Sequence, residues 1–185
     1  MRPIVSCYCE EPEGYVERFV YPMLFTPENL RRFWDESRKF RYIFTEDVRQ
    51  DFRKFCELIV HEENGELMPN GLFWVVDDFV GVFYMTRITP GADADVHYSF
   101  FDRRQKGRVK LVRTMLKYVF ERYQLRRVTA EIPYFASWIT RNFTESIGFV
   151  KEGRKRKAIW FNDDWFDIGI YGILREEVID GREND

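Results

Sequence analysis

Eight consecutive residues, Arg103-Arg104-Gln105-Lys106-Gly107-Arg108-Val109-Lys110, carry the densest chemical signal in the chain. They join a β-rich run to an apolar pattern at helical spacing. A glycine at such a junction lets the backbone turn sharply and come close to a ligand. The first amides of the helix that follows have no intrahelical partner, and the helix dipole adds positive charge at the same end. Together they form an anion site suited to a pyrophosphate. From 103 to 113 there are six basic residues and no acidic one, which adds charge where a phosphorylated cofactor would lie. Taken alone, the same pattern also describes a solvated helix end.

Cys7-x-Cys9 has a spacing found among metal ligands, but only two histidines exist, His61 and His97, and no second cysteine pair follows. A tetrahedral zinc site needs four ligands. No metal is expected, and the three cysteines (the third is Cys56) read as reduced thiols.

The elements that must position the 103–110 segment follow from periodicity. Val16 to Leu24 reads as a strand. Thr26-Pro27-Glu28 opens a helix, with Thr as N-cap, Pro at the first helical position and an acid in the first turn. Thr45-Glu46-Asp47 repeats that signature before a helix ending near His61. Asn64-Gly65 and Asn70-Gly71 punctuate a loop. Leu72 to Val76 and Phe79 to Ile88 are strands joined at Asp77-Asp78, and Val96 to Phe101 is a third. A helix is expected from about Gly107 to Tyr123, with Val112, Leu116, Val119 and Tyr123 on its buried side. A strand (Arg127 to Ile132), a shorter helix (about Ser137 to Ile147) and a hairpin from Phe149 to Leu174 turning at Asn162-Asp163-Asp164 complete the order. The fold class is α+β, a mixed sheet with helices on its faces.

Composition sets the outer bounds. The 185 residues, 45% hydrophobic and 18% aromatic, exclude a disordered chain and are expected to form a single domain, 1–185. Twenty-nine basic residues against 31 acidic ones give a net charge of −2, which argues against bulk nucleic-acid binding. No membrane span and no secretory signal is read, so the expected location is cytoplasmic. The Trp and Phe residues are expected mostly to build the core and the hairpin. The basic run Lys151 to Lys157 reads as a solvated strand edge, and the tail from Arg175 to Asp185 as frayed.

Arg104-x-x-Gly107-x-Val109 resembles the Q/R-x-x-G-x-G/A signature of the GNAT superfamily of N-acetyltransferases. Ser137-x-x-Thr140-Arg141 followed by Gly148-Phe149-x-x-Glu152-Gly153 resembles that family's N-x-x-S … G-F-x-x-E-G segment. The closing Trp160–Asp167 stretch with Tyr171-Gly172-Ile173-Leu174 is similar to the terminal hairpin of its ribosomal-protein N-terminal acetyltransferase branch. The resemblance covers about residues 14 to 176.

It implies a mostly antiparallel mixed sheet whose central strands splay apart, helices on both faces, and acetyl-CoA as co-substrate. The pantetheine arm would pair with backbone between His97 and Phe101, so Ser99, Phe100 and Phe101 are cofactor-side candidates. The pyrophosphate would be held by amides of Gln105, Lys106, Gly107, Arg108 and Val109, with Arg104 and Arg108 adding side chains. Val109 stands where the family prefers Gly or Ala and is expected to crowd this site or shift the start of the helix. Thr140, in the family's Ser position, is a candidate to orient the thiolate or supply a proton. The family's frequent Tyr is replaced by Thr144, and a carboxylate found in related enzymes by Ile159. Glu131 and His97 are substitute bases, each with a bland alternative as a surface or packed neighbour. Asp93 and Asp95 read as loop acids, and Trp138 and Tyr134 as neighbours of the acceptor cleft.

The implied activity is transfer of an acetyl group to a primary amine, on a protein N-terminus or a small molecule, by direct attack in a ternary complex. A second reading is a GNAT-fold module that has lost catalysis and holds acyl-CoA or a protein partner. A third, a nucleic-acid-binding domain using 103–113, has no readout motif behind it. A homodimer through the terminal hairpin is left open.

Overall fold

The central strands are apolar on both sides, which calls for a sheet covered on two faces. The computed structural model describes residues 1–11, 14–102, 107–136 and 138–180. Strands β1 (Val5–Glu11) and β2 (Gly14–Pro22) come first, followed by helices α1 (Pro27–Ser37), α2 (Glu46–Gln50) and α3 (Phe52–Ile59). A small hairpin, β3 (Val60–Glu63) and β4 (Glu66–Pro69), precedes β5 (Leu72–Val76), β6 (Gly81–Thr89) and β7 (Asp93–Phe100). Then come α4 (Arg108–Tyr123), β8 (Arg127–Pro133), α5 (Trp138–Ile147), β9 (Val150–Phe161), β10 (Asp164–Leu174) and α6 (Arg175–Ile179).

Eight strands form one sheet in the order β1-β2-β5-β6-β7-β8-β10-β9. All neighbours are antiparallel except β7 and β8, which run parallel. Successive side chains point to opposite faces, and two separate cores result. Trp74, Phe83, Met85, Val96, Val128 and Ala130 pack with α4 and Ile147 of α5. The alternate residues Phe73, Val82 and Tyr84 pack with Leu30, Phe33, Trp34, Phe55 and Ile59 of α1 and α3. Phe33 and Phe55 meet edge to face at 5.2 Å and are fully buried. Each such ring stabilises the fold by about 1.5–3 kcal/mol through burial.

Local signals explain several boundaries. Thr26 caps α1 by accepting from the Asn29 amide, with Pro27 at the first helical position. At the turn between β5 and β6, the Asp77 carboxylate accepts from the Phe19 amide at 2.7 Å and from Arg18 at 2.8 Å. That turn occupies residues 77–80, so β6 begins at Gly81 rather than Phe79. Gly148 closes α5 at φ +113, and a Cβ there would sit 2.9 Å from the Arg113 guanidinium. Arg113 in turn donates to the Ile147 carbonyl at 2.6 Å, satisfying an orphan carbonyl at the helix end.

Four expectations are corrected. β1 precedes the expected first strand and places Cys7 in the core. The helix expected from Thr45 to near His61 is two helices, because the Asp51 carboxylate accepts from the amides of Arg53 and Lys54 and starts a new one. Asn64-Gly65 turns a two-stranded hairpin instead of marking a loop, with His61 opposite Met68. The tail expected to fray forms α6 over its first five residues, and Val178 and Ile179 pack on the core.

The aromatics divide. Trp34 and Trp74 are buried, whereas Trp160 and Trp165 are half-exposed and cross near the hairpin turn with centroids 5.4 Å apart. No helix among the described residues is long and apolar enough to cross a membrane.

Candidate functional site

The site begins where the sheet comes apart. β7 and β8 pair at a single position, Asp95 opposite Thr129. Past it, β7 stays paired with β6 as far as Phe100, and β8 stays paired with β10 as far as Pro133. The edges of His97–Phe100 and of 130–133 that face each other therefore carry no ladder between them. Parallel neighbours that stop pairing leave backbone donors and acceptors for another molecule.

At the far end of β7 the chain reaches Gly107, which caps α4 at φ +70 with no side-chain capping bond and no acid in the first turn. The first amides of α4 thus retain their anion-binding character. Arg108 lies over Phe143 at 5.5 Å and near Phe100 at 6.0 Å, holding a cation beside that helix start. Val109, half-buried, packs against the core cluster that includes α4. Of the remaining segment, Arg104, Gln105 and Lys106 lie outside the described residues. These features fit a pyrophosphate-bearing thioester: a glycine-started helix, an adjacent cation and a strand with an open edge.

The gap has two chemically different faces. On the α4–α5 face, Tyr98 of β7 reaches α5, and its hydroxyl lies 2.6 Å from that of Thr144. The Thr144 hydroxyl donates to the Thr140 carbonyl at 3.0 Å. A hydroxyl has one proton, so Tyr98 is the donor to Thr144. Burial is the first cause that raises the Tyr98 pKa, and the phenol stays protonated. Thr144 has no exposed surface, and Thr140 stands one turn earlier, half-buried. Phe100 projects to this face and meets Phe143 edge to face. Ser99 and Phe101 take the other side, where Phe101 packs against the α1–α3 core.

On that α1–α3 face stand Asp95, His97 and Glu131. His97 stacks on Tyr84 at 4.4 Å, and its Nε2 lies 3.2 Å from the Thr86 hydroxyl. Burial, with help from Arg87, lowers its pKa to about 4, so the ring is neutral at pH 7. Arg87 leaves an irregular stretch of β6 at φ +48 and bridges the two strands. Its guanidinium bonds Asp95 and, at 2.9 Å, Glu131. Lys155 of β9 also bonds Glu131.

These contacts split the carboxylates. Burial is the largest influence on both and pushes both up. For Asp95 it prevails, aided by Glu131 and Asp93, and the pKa is raised. For Glu131 the bonds from Lys155 and Arg87 prevail, and the pKa is lowered. Glu131, expected as a base, is thus an ion-paired carboxylate with little appetite for a proton. Asp93 and Asp95, expected as loop acids, lie on β7, and Asp95 is buried.

The structure brings Glu131 and His97 to one face and Thr140 to the other. Arg87, Lys155 and Tyr98 were not singled out in the sequence for these contacts. Their partners lie 44, 24 and 46 residues away, and no local pattern announces them. The Tyr134 ring lies beneath Arg141 at 5.5 Å and Lys151 at 5.3 Å, while the Trp138 side chain lies outside the described part.

In fold, the chain is similar to spermidine N-acetyltransferase from Vibrio cholerae, a dodecamer, with TM-score 0.64 and 16% identity over 90% of this chain and 98% of that one. It is similar to ribosomal-protein-S5-alanine acetyltransferase from Vibrio fischeri, with TM-score 0.62 and 19% identity over 94% and 98%. A GNAT-family acetyltransferase from Bacillus anthracis matches with TM-score 0.60 and 18% identity over 94% and 100%. No curated protein matches the sequence significantly. The family model for the acetyltransferase (GNAT) domain matches residues 34–170, a span that includes both faces of the gap and the start of α4, and the chain belongs to the GNAT family of acetyltransferases.

Proposed function

We propose that the protein transfers an acetyl group from acetyl-CoA to a primary amine, with the two substrates meeting from opposite faces of the β7–β8 gap. The observation that carries this reading is the single Asp95–Thr129 pair, beyond which the strands share no ladder. Acetyl-CoA supplies an activated acyl group and a thiol leaving group. The α4 start, Arg108, Tyr98 and Thr140 share one face, which suits the phosphates and the sulfur. A backbone amide near His97 or Tyr98 is suited to stabilise the oxyanion. The Tyr98 hydroxyl keeps its proton and can turn it from Thr144 towards a thiolate, with Thr140 a turn away.

The amine then approaches along the α1–α3 face. Glu131 and Asp95 give that face carboxylates that attract an ammonium. Glu131, with its lowered pKa, orients the amine rather than taking its proton. Neutral His97 can accept one from this face, though its pKa of about 4 makes it a weak base. Positioning carries the rate when the amine arrives neutral. Spermidine and the alanine of ribosomal protein S5, the acceptors named for the two Vibrio enzymes, are both in the class such a face admits.

A binding module without turnover is the second reading, and the full engagement of Glu131 by two cations favours it. Calorimetric titration with acetyl-CoA and with free CoA, followed by thiol release on a panel of amines, separates the two. Saturable binding with amine-dependent thiol release supports the enzyme, and binding without release supports the module. Gly107→Glu places a bulky anion at a φ of +70 and should abolish binding. Unchanged affinity in that variant would remove the α4 start from the site.

A further inference from the structure

The face assigned to the amine already holds one. Lys155 extends from β9, passes over β10 and hydrogen-bonds Glu131. Glu131 lies two residues past Thr129, and His97 two residues past Asp95, the pair at which β7 and β8 part. The Lys155 ammonium therefore sits at the beginning of the open gap, on the face it shares with His97. Its side chain is 43% exposed, so it is not locked there by packing. Neighbouring lysines are placed differently. Lys151 covers the Tyr134 ring, and the amide of Lys157 donates to Asp167 from an exposed position.

We propose that Lys155 is an acetylation site on which the enzyme acts in cis, an inference that rests on the function proposed above. The ammonium first gives one proton to solvent. The neutral Nζ then attacks the thioester carbonyl carbon, the N–C bond forms and the C–S bond breaks. The second proton leaves the nitrogen for sulfur, so that an acetamide and free thiol result. Glu131 is a positioning residue here: it holds the amine at the gap and leaves proton removal to solvent. Tethering replaces a bimolecular encounter and raises the effective concentration of this amine over any other on the surface. Acetylation cancels the Lys155 charge and leaves Glu131 with Arg87, opening the carboxylate to an amine from outside.

The test incubates the full-length chain with acetyl-CoA alone at mildly alkaline pH, with intact-mass measurement and peptide mapping. One acetyl group should accumulate on Lys155, roughly tenfold or more ahead of Lys151 and Lys157. Its rate constant should not change with protein concentration. Lys155→Arg should remove that site, and Glu131→Gln should erase the preference for it while acetyl-CoA affinity stays the same. Even acetylation of all three lysines, a rate that grows with protein concentration, or no product despite calorimetric binding would each overturn the proposal. Absence of acetyl-CoA binding would overturn the proposed function as well, so the titration tells the two failures apart.

Discussion

Tyr98 on β7 and Thr144 on α5 hold their hydroxyls 2.6 Å apart beside the stretch of β7 that no longer pairs with β8, although 46 residues separate them in the chain. The phenol comes from the strand and the small hydroxyl from the helix. Thr144 is fully buried, and its own proton goes to the Thr140 carbonyl, so the strand supplies the mobile proton of the pair.

Tyr98→Phe removes that proton and keeps the ring against Phe143. Stability should fall by about 1 kcal/mol, since Thr144 keeps its bond to Thr140. Turnover should drop by roughly tenfold to a hundredfold with acetyl-CoA affinity retained. Urea unfolding and steady-state kinetics check the two parts, and unchanged turnover would take the phenol out of the chemistry.

Arg87→Ala leaves Asp95 and Glu131 facing each other without the guanidinium that bridges them. At pH 7 the loss should be about 2 kcal/mol, discounted because Arg87 is well exposed. The sign with pH follows from Asp95. Its pKa, already raised by burial, rises further without Arg87, and a raised carboxylate is stabilising at low pH and loses that contribution as pH increases. The variant's deficit should therefore be smaller at pH 5 than at pH 7, as measured by denaturant unfolding at both. A deficit that grows on acidification would refute the bridge.

His97 titrates the other way. Its pKa lies at about 4 against 6.5 for a free side chain, so the unfolded chain takes up a proton before the native one does. Stability is present above pH 6.5 and is lost as pH falls towards 4, by about 3 kcal/mol in all. His97→Asn should flatten the stability profile in that window. Parallel profiles for variant and wild type would show that the ring is not enclosed.

Much of the frame was legible because it is written locally. Thr26-Pro27-Glu28 starts a helix by capping chemistry that needs only three residues. The helical spacing of Val112, Leu116, Val119 and Tyr123 after Gly107 placed α4 to within a residue of its observed start at Arg108. β1 was readable in principle, because Val5, Cys7 and Cys9 alternate with Ser6, Tyr8 and Glu10. β3 and β4 gave little sign because their residues are nearly all exposed and no burial pattern marks them.

The site itself was only half legible. Glu131, His97 and Thr140 were singled out by residue type and motif position, but their electrostatics depend on partners from distant strands. The low Glu131 pKa needs Arg87 and Lys155, which tertiary structure alone brings together.

The outer strand of the sheet has a consequence for life in concentrated solution. β9 forms one margin of the sheet, and six of its twelve residues are charged: Lys151, Glu152, Arg154, Lys155, Arg156 and Lys157. A bare strand margin is a template on which other chains add and grow into insoluble aggregates. Five of the six charges are positive, so a second β9 arriving at this margin meets electrostatic repulsion before any backbone bond can form. The same run of lysines and arginines that brings Lys155 to Glu131 thus opposes edge-to-edge growth from the long terminal hairpin.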